Sequence, residues 1–262
     1  MMKKSQIKKE KPKRSVPFLP NFITTMSLFC GFYSIMFSLK GNFYMAAVLI
    51  LIAGFIDGID GRVARATNST SEFGKEYDSL SDVIAFGVSP AILAYLWQLN
   101  QYGRFGFIAS FLFVACGALR LARFNSDTTN LSSFTGLPIP IAAAAVSSVV
   151  LLSTKVIGPV PALLVLGGMY ILSFMMVSTI RFPSFKHISY IKAHPFQLLV
   201  AGLLLLVVVA LAPEVMIFTL TMSFIIGGAF WNAVIYSRDH IMARKQEKGA
   251  KHEGVTRQDN NI

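Results

Sequence analysis

The sequence predicts an all-α fold, a polytopic membrane helical bundle of about eight transmembrane helices of about 20 residues each. Hydrophobic residues make up 54% of the 262 residues and charged residues only 14%, whereas ordinary soluble domains carry about 25% charged residues. The mean hydropathy is +0.58. The apolar residues form long runs rather than the alternating pattern of barrel strands, so each run is expected to satisfy its backbone hydrogen bonds as a helix.

Eight apolar runs follow one another along the chain and define a membrane domain at residues 20–237. The runs cover residues 22–39, 43–56, 83–99, 105–119, 137–154, 160–180, 196–212 and 215–236. A basic tail, residues 1–19, precedes the domain, and a polar tail, residues 238–262, follows it and is expected to be disordered. Cys30 and Cys116 lie inside apolar runs, so we expect them to be small core residues without a disulfide.

Basic residues predict how the chain is oriented in the membrane. With eight spans, 21 of the 24 Lys and Arg residues fall on the side of both termini, and only Lys40, Arg104 and Lys155 fall on the other. Because cytoplasmic loops carry the excess of Lys and Arg, both termini are expected to face the cytoplasm from the cytoplasmic membrane. The net charge of +11 is therefore assigned to membrane flanks and anionic membrane lipids, not to a nucleic-acid partner.

Four carboxylates lie where the second and third spans reach the cytoplasmic boundary. Only 14 residues of the second run precede Asp57, too few to cross about 30 Å of hydrocarbon, so the second helix is expected to continue past Asp57 and Asp60. The third span begins with Asp78 and Asp82 and then becomes apolar. Ionisable groups at that depth are costly and are functional candidates by default.

The spacing of these carboxylates predicts that they converge. Asp57 and Asp60 are three residues apart and Asp78 and Asp82 are four apart, so each pair shares one helical face. Four converging carboxylates need a counter-charge, and two Mg²⁺ or Mn²⁺ ions would supply it in a site suited to phosphoryl chemistry. The alternative is separate helix-end carboxylates that serve a helix N-terminus, for which Asp57 and Asp60 lie at the wrong end of their helix.

Small residues accompany the carboxylates. Gly58, Gly61 and Gly74 remove side chains beside them, and Ala64 is small one turn beyond Gly61. An interior glycine costs a helix about 1 kcal/mol, so these positions indicate that something approaches the backbone closely. A flat nucleotide would require such an approach, and tight helix packing is the alternative.

One stretch resembles the signature of the CDP-alcohol phosphatidyltransferase family at all eight fixed positions and in every gap. It reads Asp57-x2-Asp60-Gly61-x2-Ala64-Arg65-x8-Gly74-x3-Asp78-x3-Asp82. The resemblance covers the first six spans as the family core, to which two further spans are added. It implies an enzyme that transfers a phosphatidyl group from CDP-diacylglycerol to an alcohol and releases CMP. We also expect a homodimer.

The resemblance also implies roles for individual residues. Asp57, Asp60 and Asp78 would hold one divalent cation on the diphosphate of the CDP-lipid, while Asp78 and Asp82, with a contribution from Asp57, would hold a second. Asp82 would be the general base for the acceptor hydroxyl, and no covalent enzyme intermediate is needed. The residues implied in the same way for the CDP-lipid and its pocket are Asn21, Thr24, Gly61, Ala64, Arg65 and Gly74.

Three later segments, residues 119–125, 134–140 and 176–186, resemble the branch of the family whose acceptor is L-serine. Arg120 and Arg123 end the fourth span level with the aspartates, and a serine carboxylate or a lipid phosphate requires such a cation. Alternatively, both arginines only anchor the helix end, and the acceptor is glycerol 3-phosphate, an inositol compound or choline. A cation transporter is a remoter alternative, because transporters place carboxylates near the membrane midplane on broken helices.

Overall fold

The computed structural model describes residues 18–67, 71–126, 136–180, 212–230 and 232. Within these ranges every regular element is helical. We label the main helices in chain order as α1 (Phe18–Leu39), α2 (Phe43–Ala66), α3 (Glu72–Trp97), α4 (Arg104–Ser126), α5 (Ile139–Ile157), α6 (Ala162–Val177) and α7 (Pro213–Phe230).

Six of these helices are long and apolar enough to cross a membrane, which confirms an all-helical membrane protein. Helix α6 is the exception because it has only 16 residues. The predicted span at residues 196–212 lies almost wholly outside the described residues, as do residues 1–17 and the polar tail at 238–262. The count of eight spans therefore stays a prediction.

Small side chains allow α1 and α2 to pack closely. The Ser27 hydroxyl donates to the carbonyl of Ala53 at 3.0 Å, and the Ser34 hydroxyl donates to the carbonyl of Ala46 at 2.9 Å. Interfaces of this kind are typical of membrane helices, where small residues let backbones approach. The opposite face of α1 exposes large apolar side chains suited to lipid, among them Phe22, Phe29 and Phe32. This packing fixes the polar face of α1 against α2.

Helix α2 continues without interruption past Ile56 to Ala66, as its short apolar run predicted. Helix α3 begins after a short connection. The side chain of Ser71 accepts a hydrogen bond from the Gly74 N–H at 2.9 Å and caps the start of this helix. The end of α2 and the beginning of α3 therefore lie at the same end of the bundle, where the aspartates occur.

Helix α3 changes its winding just after Asp82. An α-helical stretch ends at Asp82, a π-helical segment covers Val83–Val88, and an α-helix resumes at Ser89. Segments of this kind are rare and occur frequently at functional sites.

The interior of the bundle is formed largely by α5. Most of its residues from Ile139 to Leu152 are buried, and Gly117 of α4 lies so close to Ile139 that a Cβ there would meet its side chain at 2.5 Å. Both cysteines are free, Cys30 buried and Cys116 half-buried, which confirms the expectation of small interior residues without a disulfide.

Candidate active site

Three aspartates from two helices meet at one end of the bundle. Asp57 and Asp60 lie on α2 and Asp78 lies on α3, and one carboxylate oxygen from each lies within 4.8 Å of the others. Asp60 is only 6% exposed, and the other two are half-buried. The convergence predicted from the spacing is therefore present.

Asp82 lies beside this group, one turn along α3 from Asp78. Its carboxyl group lies close enough to that of Asp57 for their charges to interact. Two ionised carboxylates repel each other at such a distance, so a proton or a cation has to lie between them. All four carboxylates thus form one electrostatically coupled cluster.

The cluster has the donor set that a hard divalent cation requires. Carboxylate oxygens are the preferred ligands of Mg²⁺ and Mn²⁺. Oδ1 of Asp78 is buried and has no hydrogen-bond partner in the described part of the chain, although buried polar atoms are nearly always partnered. A cation bound between Asp57, Asp60 and Asp78 would satisfy this oxygen, so the residues present fit the metal that the sequence predicted.

Helix α1 contributes a hydroxyl to the same cluster. Oγ1 of Thr24 lies 2.9 Å from Oδ2 of Asp60 and 3.1 Å from the carbonyl of Pro20. Both Thr24 and Asp60 are buried. The sequence associated Thr24 with the CDP-lipid, and the structure adds a contact with a candidate metal ligand that sequence reasoning missed.

Asn21 and Gly74 mark a close approach between α1 and α3. A Cβ on Gly74 would lie 3.2 Å from Oδ1 of Asn21 and 3.1 Å from Oγ of Ser71. The amide nitrogen Nδ2 of Asn21 is buried, and the described residues offer it no acceptor. This corner of the site therefore has a free donor beside a position that requires glycine.

The remaining pocket positions predicted from the sequence lie on α2. Gly61 is half-buried next to Asp60, and a Cβ on Gly58 would meet nothing within 4 Å. Ala64 and Arg65 belong to α2, but their side chains lie outside the described part of the structure. The roles of Gly61, Ala64 and Arg65 stay predictions.

The two arginines at the end of α4 have different environments. Arg120 is half-buried, its Nε is buried without a hydrogen-bond partner among the described residues, and its charge interacts with that of Asp82. Arg123 is exposed. Of the two, Arg120 is therefore the one whose charge lies near the acidic cluster.

Comparison with known protein families shows which family the chain belongs to. The sequence profile of the CDP-alcohol phosphatidyltransferase family matches residues 17–180. The chain belongs to this family. The match covers α1 to α6 and thus every candidate site residue named above.

Curated relatives in this CDP-alcohol phosphatidyltransferase family resemble the same part of the chain. A CDP-diacylglycerol–serine O-phosphatidyltransferase of Helicobacter pylori strain J99 is 44% identical over 183 residues, covering 68% of this chain and 77% of the relative. An enzyme of the same name from Bacillus subtilis strain 168 is 37% identical, covering 64% of this chain and 92% of the relative. An archaetidylserine synthase of Methanothermobacter thermautotrophicus is 40% identical, covering 63% of this chain and 69% of the relative.

Two contacts that hold this family member's site together were not apparent from the sequence. The side chain of Asn125 donates a hydrogen bond from Nδ2 to Oγ of Ser79 at 2.9 Å, which joins the end of α4 to α3 beside Asp78. The hydroxyls of Thr25 and Tyr77 lie 2.9 Å apart and join α1 to α3. Asn125 lies in residues 119–125, which resemble the serine branch, and this resemblance is the only feature of the sequence that points to Asn125.

Proposed function

We propose that this CDP-alcohol phosphatidyltransferase transfers the phosphatidyl group of CDP-diacylglycerol to the hydroxyl of L-serine, giving phosphatidylserine and CMP. The observation that carries the proposal is the convergence of carboxylate oxygens from Asp57, Asp60 and Asp78 within 4.8 Å. The charge of Arg120 lies near enough to interact with that of the neighbouring Asp82. The names of the relatives support serine as the acceptor, since they include two serine O-phosphatidyltransferases and an archaetidylserine synthase.

The four aspartates divide the work of metal binding and proton transfer. Asp57, Asp60 and Asp78 would hold one Mg²⁺ or Mn²⁺, and Asp78 and Asp82, with Asp57, would hold a second. When bound, such ions neutralise the diphosphate and stabilise the charge that develops on the departing CMP. The buried, unpartnered oxygen of Asp78 supports this assignment because a cation would satisfy it.

Asp82 acts as the general base in a direct displacement. Its carboxylate accepts the proton of the serine hydroxyl, and the serine oxygen forms a bond to the lipid-side phosphorus. The bond from that phosphorus to the CMP oxygen breaks, and CMP leaves with the electron pair. Asp82 then holds the proton and releases it to solvent. Because the serine oxygen attacks the phosphorus directly, no covalent intermediate with the protein forms.

The nucleotide lies at the corner between α1 and α3. The free amide donor of Asn21 suits a flat polar group that approaches the backbone closely, and Gly74 keeps a side chain out of this crowded corner, where a Cβ would lie 3.2 Å from Oδ1 of Asn21. Thr24 orients Asp60 from the same side, while Gly61 and Ala64 keep the pocket open and Arg65 orders the neighbouring chain.

Arg120 binds the carboxylate of serine or the phosphate of the lipid. It is half-buried and has an unpartnered Nε, and arginine can hold a planar anion through two parallel hydrogen bonds. Arg123 is exposed and anchors the end of α4 at the membrane surface.

The active site faces the cytoplasm. Each chain crosses the cytoplasmic membrane eight times, and two chains form a homodimer. The three basic residues assigned to the outer side support this orientation. Lys40 follows α1, Arg104 begins α4 and Lys155 lies near the end of α5, and these are the helix ends opposite the aspartates. With eight spans both termini are cytoplasmic.

Release of CMP by the purified protein tests the proposed function. CDP-diacylglycerol is supplied with serine, glycerol 3-phosphate, myo-inositol or choline in turn, with Mg²⁺ or Mn²⁺ and with excess EDTA. We expect CMP and phosphatidylserine with serine and no product in EDTA. Preference for glycerol 3-phosphate would contradict the acceptor assignment, and full turnover in EDTA would contradict the metal assignment.

A further inference from the structure

The π-helical segment of α3 separates the catalytic end of that helix from its remainder. The segment covers Val83–Val88 and begins immediately after Asp82. At its end the backbone N–H of Ser89 bonds to the carbonyl of Ile84, five residues back, instead of the residue four back as in an α-helix. Each residue of an α-helix turns by about 100°, so one extra residue in a turn changes which face the preceding aspartates present.

Ser89 is the side chain that stabilises this unusual turn. Its Oγ lies 2.7 Å from the carbonyl of Gly31 on α1 and 2.9 Å from the carbonyl of Ile84, and the residue is completely buried. The hydroxyl has one proton, so it donates to one of these two carbonyls at a time. In both cases it supports the end of the π-helical segment, and in the shorter contact it joins that end to another helix.

Helix α1 provides a rigid reference for the segment. A Cβ on Gly31 would lie 2.6 Å from Cα of Ala85 and 2.8 Å from its Cβ. The two backbones are therefore in direct contact at the middle of the π-helical segment. The same helix carries Thr24, which is bonded to Asp60, so α1 contacts both the aspartates of α2 and the turn that orients those of α3.

We propose that Ser89 is a positioning residue for the acidic cluster: by holding the π-helical segment against Gly31, it sets the rotation at which Asp78 and Asp82 face Asp57 and Asp60. Without the hydroxyl, the segment is free to wind as an ordinary α-helix. Any relaxation toward the α-helical register, whose full extent is about 100°, would turn Asp78 and Asp82 away from Asp57 and Asp60 and loosen the cluster. The inference rests on the proposed metal site.

Binding of Mn²⁺, measured by the loss of its free electron paramagnetic resonance signal, tests this role without turnover. For Ser89→Ala we expect about tenfold weaker Mn²⁺ binding, the size typical of residues that orient metal ligands. Ser34→Ala is the matched control, because Ser34 is equally buried and also donates to a backbone carbonyl across a helix interface, at 2.9 Å, but between α1 and α2. We expect it to lower thermal stability and leave Mn²⁺ binding unchanged.

Ser89→Cys distinguishes the effect of losing the hydrogen bond from the effect of losing side-chain volume. It also takes the place of Ser89→Ala if the alanine variant does not fold. A thiol fills the same space and is a weak donor, so we expect weakened Mn²⁺ binding here too. If the unaltered protein and both Ser89 variants all bind Mn²⁺ equally well, the positioning role of Ser89 is overturned while the proposed metal site stands. Failure of the unaltered protein to bind Mn²⁺ would overturn the proposed metal site and this inference together.

Discussion

The hydroxyl of Thr24 on α1 donates a hydrogen bond of 2.9 Å to Oδ2 of Asp60 on α2. Both residues are buried, so water does not compete for the bond. The contact fixes the orientation of the Asp60 carboxylate, which contributes an oxygen to the acidic cluster. A hydrogen bond that orients a metal ligand in this way commonly affects how tightly the metal binds as well as how the ligand is arranged.

Replacing Thr24 with valine tests that contact. Thr24→Val keeps the shape of the side chain and removes its donor, so Asp60 loses its orientation. We expect about tenfold weaker binding of Mn²⁺, measured directly on the purified protein. Thr219→Val on α7 is the control, because Thr219 is exposed and bonds to the carbonyl of Val215 one turn back; a comparable loss in that variant would contradict the role of Thr24.

Asp82→Asn separates binding from proton transfer. An amide cannot accept the proton of the acceptor hydroxyl, but it can still bond to Asp57. We expect kcat to fall about 10²- to 10⁴-fold, the usual contribution of a general base, with the CDP-lipid still bound. Asp78→Asn is the counterpart and should lose metal-dependent binding of the nucleotide as well as turnover. A near-normal rate in Asp82→Asn would assign the base to another residue.

Arg120 and Arg123 are expected to differ when each is replaced by alanine. Loss of Arg120 leaves an anionic substrate group unpaired in a partly dry site, at a cost of about 2–4 kcal/mol, or about 30- to 1,000-fold in kcat/KM. An increase in KM for serine would assign it to the acceptor, and an increase in KM for the CDP-lipid would assign it to the lipid phosphate. Arg123→Ala should retain kcat/KM because its side chain is exposed.

Arg120→Lys refines this prediction. Lysine keeps the charge but lacks the planar fork of the guanidinium group, so we expect only partial rescue of kcat/KM. Normal kinetics in Arg120→Ala would show that this residue only anchors the helix and would remove the physical support for an anion at this position.

Gly74→Ala is expected to impair binding of the CDP-lipid. The added Cβ would lie 3.2 Å from Oδ1 of Asn21 and 3.1 Å from Oγ of Ser71, so both side chains have to move. Movement of Asn21 displaces the donor proposed for the nucleotide, and leaving such a group unpaired costs about 1–3 kcal/mol, or about 5- to 150-fold in KM. Gly167→Ala on α6 is the control, since a Cβ there meets nothing within 4 Å. Equal effects on KM in both variants would exclude a local role for Gly74.

The convergence of the aspartates could be predicted from the sequence because each pair shares a helical face and the short connection between α2 and α3 makes them antiparallel neighbours. Three- and four-residue spacings place Asp57 with Asp60 and Asp78 with Asp82, and the short apolar run before Asp57 required α2 to continue, as it does to Ala66. These arguments need only the helical period, the span length and the length of the connection.

Other features could not be predicted because they depend on tertiary contacts. Val83–Val88 is apolar or glycine throughout, so its hydrophobicity contains no signal of a π-helical turn. Arg120 and Arg123 are three residues apart on the same helix and look equivalent in the sequence, yet only Arg120 is half-buried near Asp82. Likewise, nothing in the sequence near residue 24 reveals a bond to Asp60.

The amide nitrogen of Asn21 that lacks a partner has a consequence for the stability of the protein as well as for recognition. A buried donor left unsatisfied costs about 1–3 kcal/mol, so the free protein is less stable than one in which this atom is bonded. A ligand that accepts this hydrogen bond therefore binds and stabilises the fold through the same contact. The rise in unfolding temperature on adding nucleotide should accordingly be smaller in Asn21→Ala than in the unaltered protein, whether or not the bound nucleotide can react.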